Sequence, residues 1–164
     1  MYSERLDKNN YNSVLPVEYV LENLHKDTAD ELKKIYGKHY IIKAFNEIKD
    51  TDIFVIRLKS TNEPVGLYGL IPQSSKSAGI YLLTTKNLYN GNIIKFLRES
   101  KKQIHKWQAE YNLIMDYCSK ENKIIQKWLT LLGFQPSNYQ DDNFQIYYWG
   151  DLSLYNESDA QKDI

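Results

Sequence analysis

The segment from Gly79 to Tyr117 constrains the fold most. It opens with Gly79-Ile80-Tyr81-Leu82-Leu83-Thr84, an apolar run of strand length. A long helix follows, in which Ile93, Leu97, Ile104, Trp107 and Tyr111 share one stripe of a 3.6-residue period. Lys95, Arg98, Lys102, Lys106 and Glu110 hold the opposite face, which reads as a solvated basic stripe. Asn112–Tyr117 is a second short apolar strand. A helical crossover between two strands of one sheet is what a parallel pair requires. Parallel pairing is therefore expected between these two strands and nowhere else.

The flanks fill in the rest. Val17, Val20, Leu21 and Leu24 have helical spacing, with Pro16 suited to a first turn. Val17, Tyr19 and Leu21 also alternate as a strand would. Thr28-Ala29-Asp30-Glu31 has the form of a capping box, opening a helix that runs to Tyr36 and stops at Gly37. The runs 52–58 and 64–71, joined through Asn62-Glu63, read as a β-hairpin. Ile124, Ile125, Trp128, Leu129 and Leu132 mark an amphipathic helix ended by Gly133, and 144–149 is a final strand. The expected architecture is α+β: a mixed, mainly antiparallel sheet flanked by helices. Residues 1–13 read as a loose lead-in, 14–151 as one domain, and 152–164 as a polar tail.

Composition narrows the function classes. The chain has 164 residues, 42% hydrophobic and 26% charged, enough for one domain with a true core. Its net charge of zero lacks the basic footprint of a general nucleic-acid binder. No apolar run approaches the roughly 18 residues of a membrane span, and the polar N-terminus lacks the apolar centre of a secretory signal. Cys118 is the only cysteine, so no disulfide can form within the chain. His25, His39 and His105 show no metal-ligand spacing, so no metal site is expected. Trp107 and Trp128 sit at helical core positions.

The stretch from Asn112 to Phe134 carries a family signal. A strand, a short polar turn and an Asn opening a helix that closes on Leu-Gly-Phe resembles the C-terminal motif of GNAT acyl-CoA N-acyltransferases. Asn122 and Gly133 lie 11 positions apart, as in that family. Within the superfamily, Leu82-Leu83-Thr84-Thr85, Phe96-Leu97-Arg98-Glu99-Ser100, Trp128 to Phe134 and Ala29-Asp30-Glu31-Leu32 are similar to GNAT-like proteins of short-tailed phages, often called internal virion protein A. The similarity runs from Val17 to Trp149.

The resemblance implies a GNAT fold and a site at the end of the first parallel strand. Acyl-CoA would lie where the two parallel strands splay, its pyrophosphate on backbone N–H groups at the long helix's N-terminus. The implied cofactor-binding residues are Leu83, Thr84, Thr85, Lys86, Asn90, Gly91, Asn92 and Asn122. The sequence departs from the family there. The usual Gln/Arg-x-x-Gly-x-Gly/Ala loop is replaced by Thr85-Lys86-Asn87-Leu88-Tyr89-Asn90-Gly91-Asn92, with one glycine and no Arg. The proton-donating Tyr seven positions after the motif Asn is Leu129, which cannot donate. Acetyl-CoA binding is therefore expected to be weak or absent, and no catalytic residue is assigned. Asp116 and Cys118 share a strand face near the cleft, and Glu47, Asp50 and Asp52 precede the hairpin, where a base in this fold often arises.

Two functions follow from the resemblance. One is a catalytically degenerate phage protein with a virion, assembly or host-protein role, located in the host-cell cytoplasm or the virion. The other is an active acetyl-CoA-dependent N-acetyltransferase acting on an amine.

Overall fold

The computed structural model describes residues 1–7, 9–10 and 14–155. The chain runs β1 (Tyr2–Arg5), α1 (Val14–Glu22), α2 (Lys26–Tyr36), α3 (Tyr40–Ile48), β2 (Ile53–Arg57), β3 (Pro64–Pro72), β4 (Ser77–Thr84), α4 (Ile93–Gln108), β5 (Leu113–Ser119), α5 (Lys123–Leu131), β6 (Gln135–Gln140) and β7 (Phe144–Gly150). The seven strands form one sheet in the order β1-β2-β3-β4-β5-β7-β6. Every neighbouring pair is antiparallel except β4 and β5. That is the parallel pair the crossover helix demands.

Strand alternation divides the interior into two layers. On one face, Ile56, Tyr68, Leu70, Leu82 and Ile114 meet α4 and α5 through Phe96, Ile104, Trp107, Trp128 and Leu129. On the other, Val55, Leu67, Tyr81 and Leu83 meet Val17, Val20 and Leu21 of α1, Leu32 of α2, and Ala44 and Ile48 of α3. Trp128 Nε1 donates to Ser100 Oγ at 3.3 Å, which ties α5 to α4. The α5 helix ends as its sequence dictates: Gly133 has φ +91°, a backbone conformation open to glycine and strained for a residue with a Cβ.

Several expectations change. The segment 1–13 is not uniformly a loose lead-in. Tyr2–Arg5 pairs with β2, and Met1 is buried in the core. Met1 packs where a Cβ on Gly91 would stand. The helical reading of 16–24 wins over the strand reading, because α1 lays Val17, Val20 and Leu21 on the sheet. The capping box at Thr28 does not form. The α2 helix starts at Lys26, capped by His25, whose Nδ1 accepts from the Asp27 N–H at 3.1 Å. Thr28 is buried beside Thr84, and Glu31 points into the protein. Helix α3 and strand β6 are additions. The long helix ends at Gln108, so Tyr111 packs on the core from beyond it. Of the expected tail, Leu152–Leu154 form a short 3-10 turn, and 156–164 lie outside the described residues, as do Lys8 and 11–13 of the lead-in. No helix among the described residues is long and apolar enough to cross a membrane.

Leu129 has no exposed surface. Leu129→Ala should therefore cost roughly 2–5 kcal/mol, through lost burial and the cavity left behind. Urea denaturation checks this, and a loss below about 1 kcal/mol would place the side chain outside the core.

Candidate functional site

The site arises where the parallel pair comes apart. β4 and β5 register only at Ser77–Leu113, Ala78–Ile114 and Gly79–Met115. β4 continues to Thr84 and β5 to Ser119, so the two strands diverge beyond Gly79. Asp116 is the first β5 residue past the last pair. Two hollows flank this opening, one on each face of the sheet, and Leu82 lines both.

The hollow on the α4–α5 face has a volume of about 620 Å³. Its walls are apolar, with Leu82, Leu88, Phe96, Leu97, Ile124 and Trp128. Ile93 and Ile94, the first two residues of α4, stand at its mouth, and Lys123 and Lys127, one turn apart on α5, line it with His25. Tyr89, Ile94 and Leu131 give it an apolar rim, each more than half exposed or at half.

The hollow on the α2–α3 face is different. Leu32, Ile35, Ala44, Ile48 and Ile80 make its walls, and Glu31, Glu47 and Asp116 are its ionisable carboxyl groups. Glu31 is held firmly. Its Oε1 accepts from the Ser119 N–H at 2.8 Å, and its Oε2 accepts from Asn122 Nδ2 at 2.5 Å. Burial nevertheless raises its carboxyl above the usual range, against the opposing effect of those hydrogen bonds. Asp116 is raised well above the usual carboxylate range, first by burial and then by the charge of Glu31. Burial, Asp116 and Glu31 likewise push the Cys118 thiol up, so it is an inert packing group rather than a nucleophile. Among the described residues, two buried side-chain atoms lack a hydrogen-bond partner: Asp116 Oδ2 and Gln73 Nε2. Both belong to residues lining this one hollow.

The residues expected to bind cofactor lie elsewhere. None of the eight lines the α4–α5 hollow, and of them only Leu83 lines the other. Thr84 is buried against Thr28 at 3.4 Å. Thr85 Oγ1 accepts from the Asn87 N–H at the start of the 3-10 turn Lys86–Asn90, on which Lys86 is exposed. Asn90 donates to Asn87 at 3.4 Å. The Gly91 N–H is taken by the Leu88 carbonyl at 3.3 Å. Asn92 caps α4 through the Lys95 N–H, and Asn122 caps α5 through the Ile125 N–H. Thr84, Thr85, Asn90, Gly91, Asn92 and Asn122 thus have structural employments that their residue types alone did not reveal.

Of the acidic residues noted from sequence, Asp116 and Glu47 reach the α2–α3 hollow. Asp50 and Asp52 do not; Asp52 pairs with Arg5 at 2.9 Å. Sequence reasoning missed Glu31 and Gln73. The signal for Glu31 was its place next to Leu32, on the inward side of an amphipathic helix. Gln73, just past β3, carried none.

No family model matches the sequence, and no curated protein matches it. Solved structures do match the fold. The chain is similar to the Campylobacter jejuni N-acetyltransferase PseH in complex with acetyl coenzyme A, at 16% identity and TM-score 0.55, covering 92% of this chain and 99% of that one. It is similar to the GNAT domain of S. lividans PAT at 8% identity and TM-score 0.63, over 90% and 88% of the two chains. The microcin C7 self-immunity acetyltransferase MccE, in complex with acetyl-CoA and AMP, gives 15% identity and TM-score 0.55, over 84% and 88%. The fold is that of the GNAT acetyltransferases.

The buried carboxyl pair predicts a pH dependence. Asp116 holds its proton to higher pH in the folded chain than in the unfolded one. The folded state then binds more protons, and the stability this contributes is full at low pH and lost as pH rises towards the folded value. Asp116→Asn removes the penalty. The variant should melt about 2–4 °C higher than the parent at pH 7.5, the scale of one kcal/mol in a domain this size. The gain should shrink at pH 4.5. Equal gains at both values, read by calorimetry, would mean that Asp116 does not titrate in this way.

Proposed function

We propose that this chain is an acyl-CoA-dependent N-acyltransferase. In this reading the α4–α5 hollow holds the acyl donor and the α2–α3 hollow admits the amine. The observation that carries it is the meeting of two chemically different hollows at the β4–β5 opening. One is apolar with lysines at hand; the other is acidic, with Glu31, Glu47 and Asp116 among its lining residues. The family resemblance and the acetyl-CoA complexes of PseH and MccE support the same assignment.

The residues present fit an acyl-CoA in part. Leu82, Phe96, Ile124 and Trp128 suit a long, weakly polar arm, and Ile93 and Ile94 leave N–H groups at the start of α4 beyond those capped by Asn92. Lys123 and Lys127 are the cations placed to meet phosphates, in place of the absent loop Arg. On the other side, the Asp116–Glu31 pair supplies a carboxyl group of raised proton affinity. Such a group is matched to taking the proton that an ammonium loses before it attacks a thioester.

A second reading has specific support. Gly91 is pressed against Met1 and Leu58, its N–H is engaged, and Leu129 is sealed in the core. These features fit a scaffold that does no acyl transfer; the virion, assembly or host-protein role is what the sequence resemblance alone would add to it.

Acetyl-CoA separates the two. A ligand at about 100 times its dissociation constant stabilises a fold by roughly 2.7 kcal/mol, or about 5–10 °C in a domain of this size. The loop alone predicts a shift under about 2 °C. With the α4–α5 hollow in place, the expected shift in sub-millimolar acetyl-CoA is about 3 °C or more. It should fall when Lys123 and Lys127 are both changed to Glu, and persist in Lys86→Glu. A parent shift under about 2 °C would favour the scaffold reading.

A further inference from the structure

The α4–α5 hollow suits one half of an acyl-CoA better than the other. Leu82, Leu88, Phe96, Leu97 and Trp128 make an apolar trough for a thioester and its pantetheine arm. Lys123 and Lys127 stand beside it for the phosphate at the end of that arm. Beyond that phosphate, coenzyme A continues into a second phosphate and a phosphorylated nucleoside. The loop before α4, which would meet them, has little to offer. Anion-binding loops point unspent backbone N–H groups at the ligand. Here the Asn87 N–H goes to Thr85 Oγ1, the Leu88 and Gly91 N–H groups go to the Thr85 and Leu88 carbonyls, and the Lys95 N–H goes to Asn92. Met1 and Leu58 fill the space beside Gly91.

The mouth of the hollow is also unlike a nucleotide site. Tyr89, Ile94 and Leu131 ring it, 55%, 68% and 50% exposed. Large apolar side chains grouped in this way mark contact surfaces. The charges around them are basic. On α5, Lys123, Lys127 and Leu131 follow one another at helical spacing. On α4, Arg98 and Lys101 continue the row begun by Ile94, and all four cations are exposed. Of the carboxylates in this region, Glu121 pairs with Lys34 at 3.2 Å and Glu99 accepts from the Ser3 N–H at 3.1 Å. Asp27, which lines the hollow, lies 3.9 Å from His25 Nδ1. An apolar centre with a basic rim is complementary to a partner whose apolar patch lies among acids.

We propose that the acyl donor is carried on a protein: an acidic acyl carrier whose phosphopantetheine arm enters the α4–α5 hollow. The arm's phosphate meets Lys123 and Lys127, the carrier's surface covers Tyr89, Ile94 and Leu131, and its carboxylates face Arg98 and Lys101. The inference rests on the acyl-transfer reading and names its donor. The chemistry is that of any thioester. The amine nitrogen bonds the acyl carbon, the carbon–sulfur bond breaks, and the thiol stays on the carrier's arm with the proton that the amine gave up.

Calorimetric titration at physiological salt, with no amine present, tests it. The probes are acetyl-CoA, S-acetyl-phosphopantetheine and a bacterial acyl carrier protein loaded with an acetyl group. S-acetyl-phosphopantetheine should bind within threefold of acetyl-CoA, because the nucleotide adds little. The loaded carrier should bind at least tenfold tighter than S-acetyl-phosphopantetheine. Arg98→Glu combined with Lys101→Glu should abolish that gain and leave S-acetyl-phosphopantetheine within threefold of its parent value, in a protein shown to be folded by its melting curve. Three results overturn the inference: acetyl-CoA more than threefold tighter than S-acetyl-phosphopantetheine, a loaded carrier less than tenfold tighter than the free arm, or a carrier indifferent to the two charge reversals. In the first case the nucleotide is gripped, and the acyl-transfer reading stands with coenzyme A as its donor. If none of the three probes binds, the acyl-transfer reading fails together with the inference.

Discussion

Both hollows in this fold depend on how little of β4 and β5 is paired. Three residue pairs hold the strands together before they diverge. Further pairing would close the sheet and erase both hollows; less would leave the two halves of the sheet unjoined. A side chain ties down the far edge of the opening. Glu31 reaches from α2 to the Ser119 N–H and to Asn122, the residue that also caps α5. One carboxylate thus fastens a helix of one layer to the strand and helix beyond the gap. Removing it would leave a buried N–H and a buried amide without partners, which is costly in an interior of low dielectric.

The same region is where the molecule gives up stability. The rest of the interior is ordinary: apolar, interdigitated and hydrogen-bonded, down to the Ser100–Trp128 contact. The exceptions gather in one place, with three raised carboxyl groups, Glu31, Glu47 and Asp116, and two residues with an unpartnered polar atom among those lining the α2–α3 hollow. Proteins that satisfy the rules of packing almost everywhere tend to break them where they act. Local disagreement with those rules is informative here because its surroundings agree so well.

Much of the fold could be read in the sequence because periodicity is a physical consequence of burial. The stripe of α4, the apolar runs of β2 to β5 and the Gly133 stop all follow from it. Helix α3 had the same signal: Tyr40, Ile41, Ala44, Phe45 and Ile48 recur at helical spacing. Strand β6 had none, since Gln135–Gln140 is polar and mostly exposed, held by backbone pairing with β7. The capping-box pattern at Thr28–Glu31 misled because both residues are claimed by tertiary partners, Thr84 and Ser119 with Asn122. For the site, the charge of Asp116 within an otherwise apolar strand was visible. Its partners were not, because Glu31 and Gln73 come from distant segments that only the sheet brings together. The loop residues 83–92 were legible as a motif position, but not as residues spent on caps and packing.

The sheet's two borders have a consequence of their own. β1 is four residues long, and its exposed Glu4 and Arg5 are tied to Arg57 and Asp52. β6 carries Pro136, which has no N–H to offer, and its pairing with β7 slips between Pro136 and Gln140. Short length, fixed charge, proline and irregular register each spoil a strand as a template for another chain. An open seven-stranded sheet with two clean borders would invite copies to stack edge to edge. This one terminates itself on both sides, so its route to aggregation runs through the opening of the core rather than through the growth of the sheet.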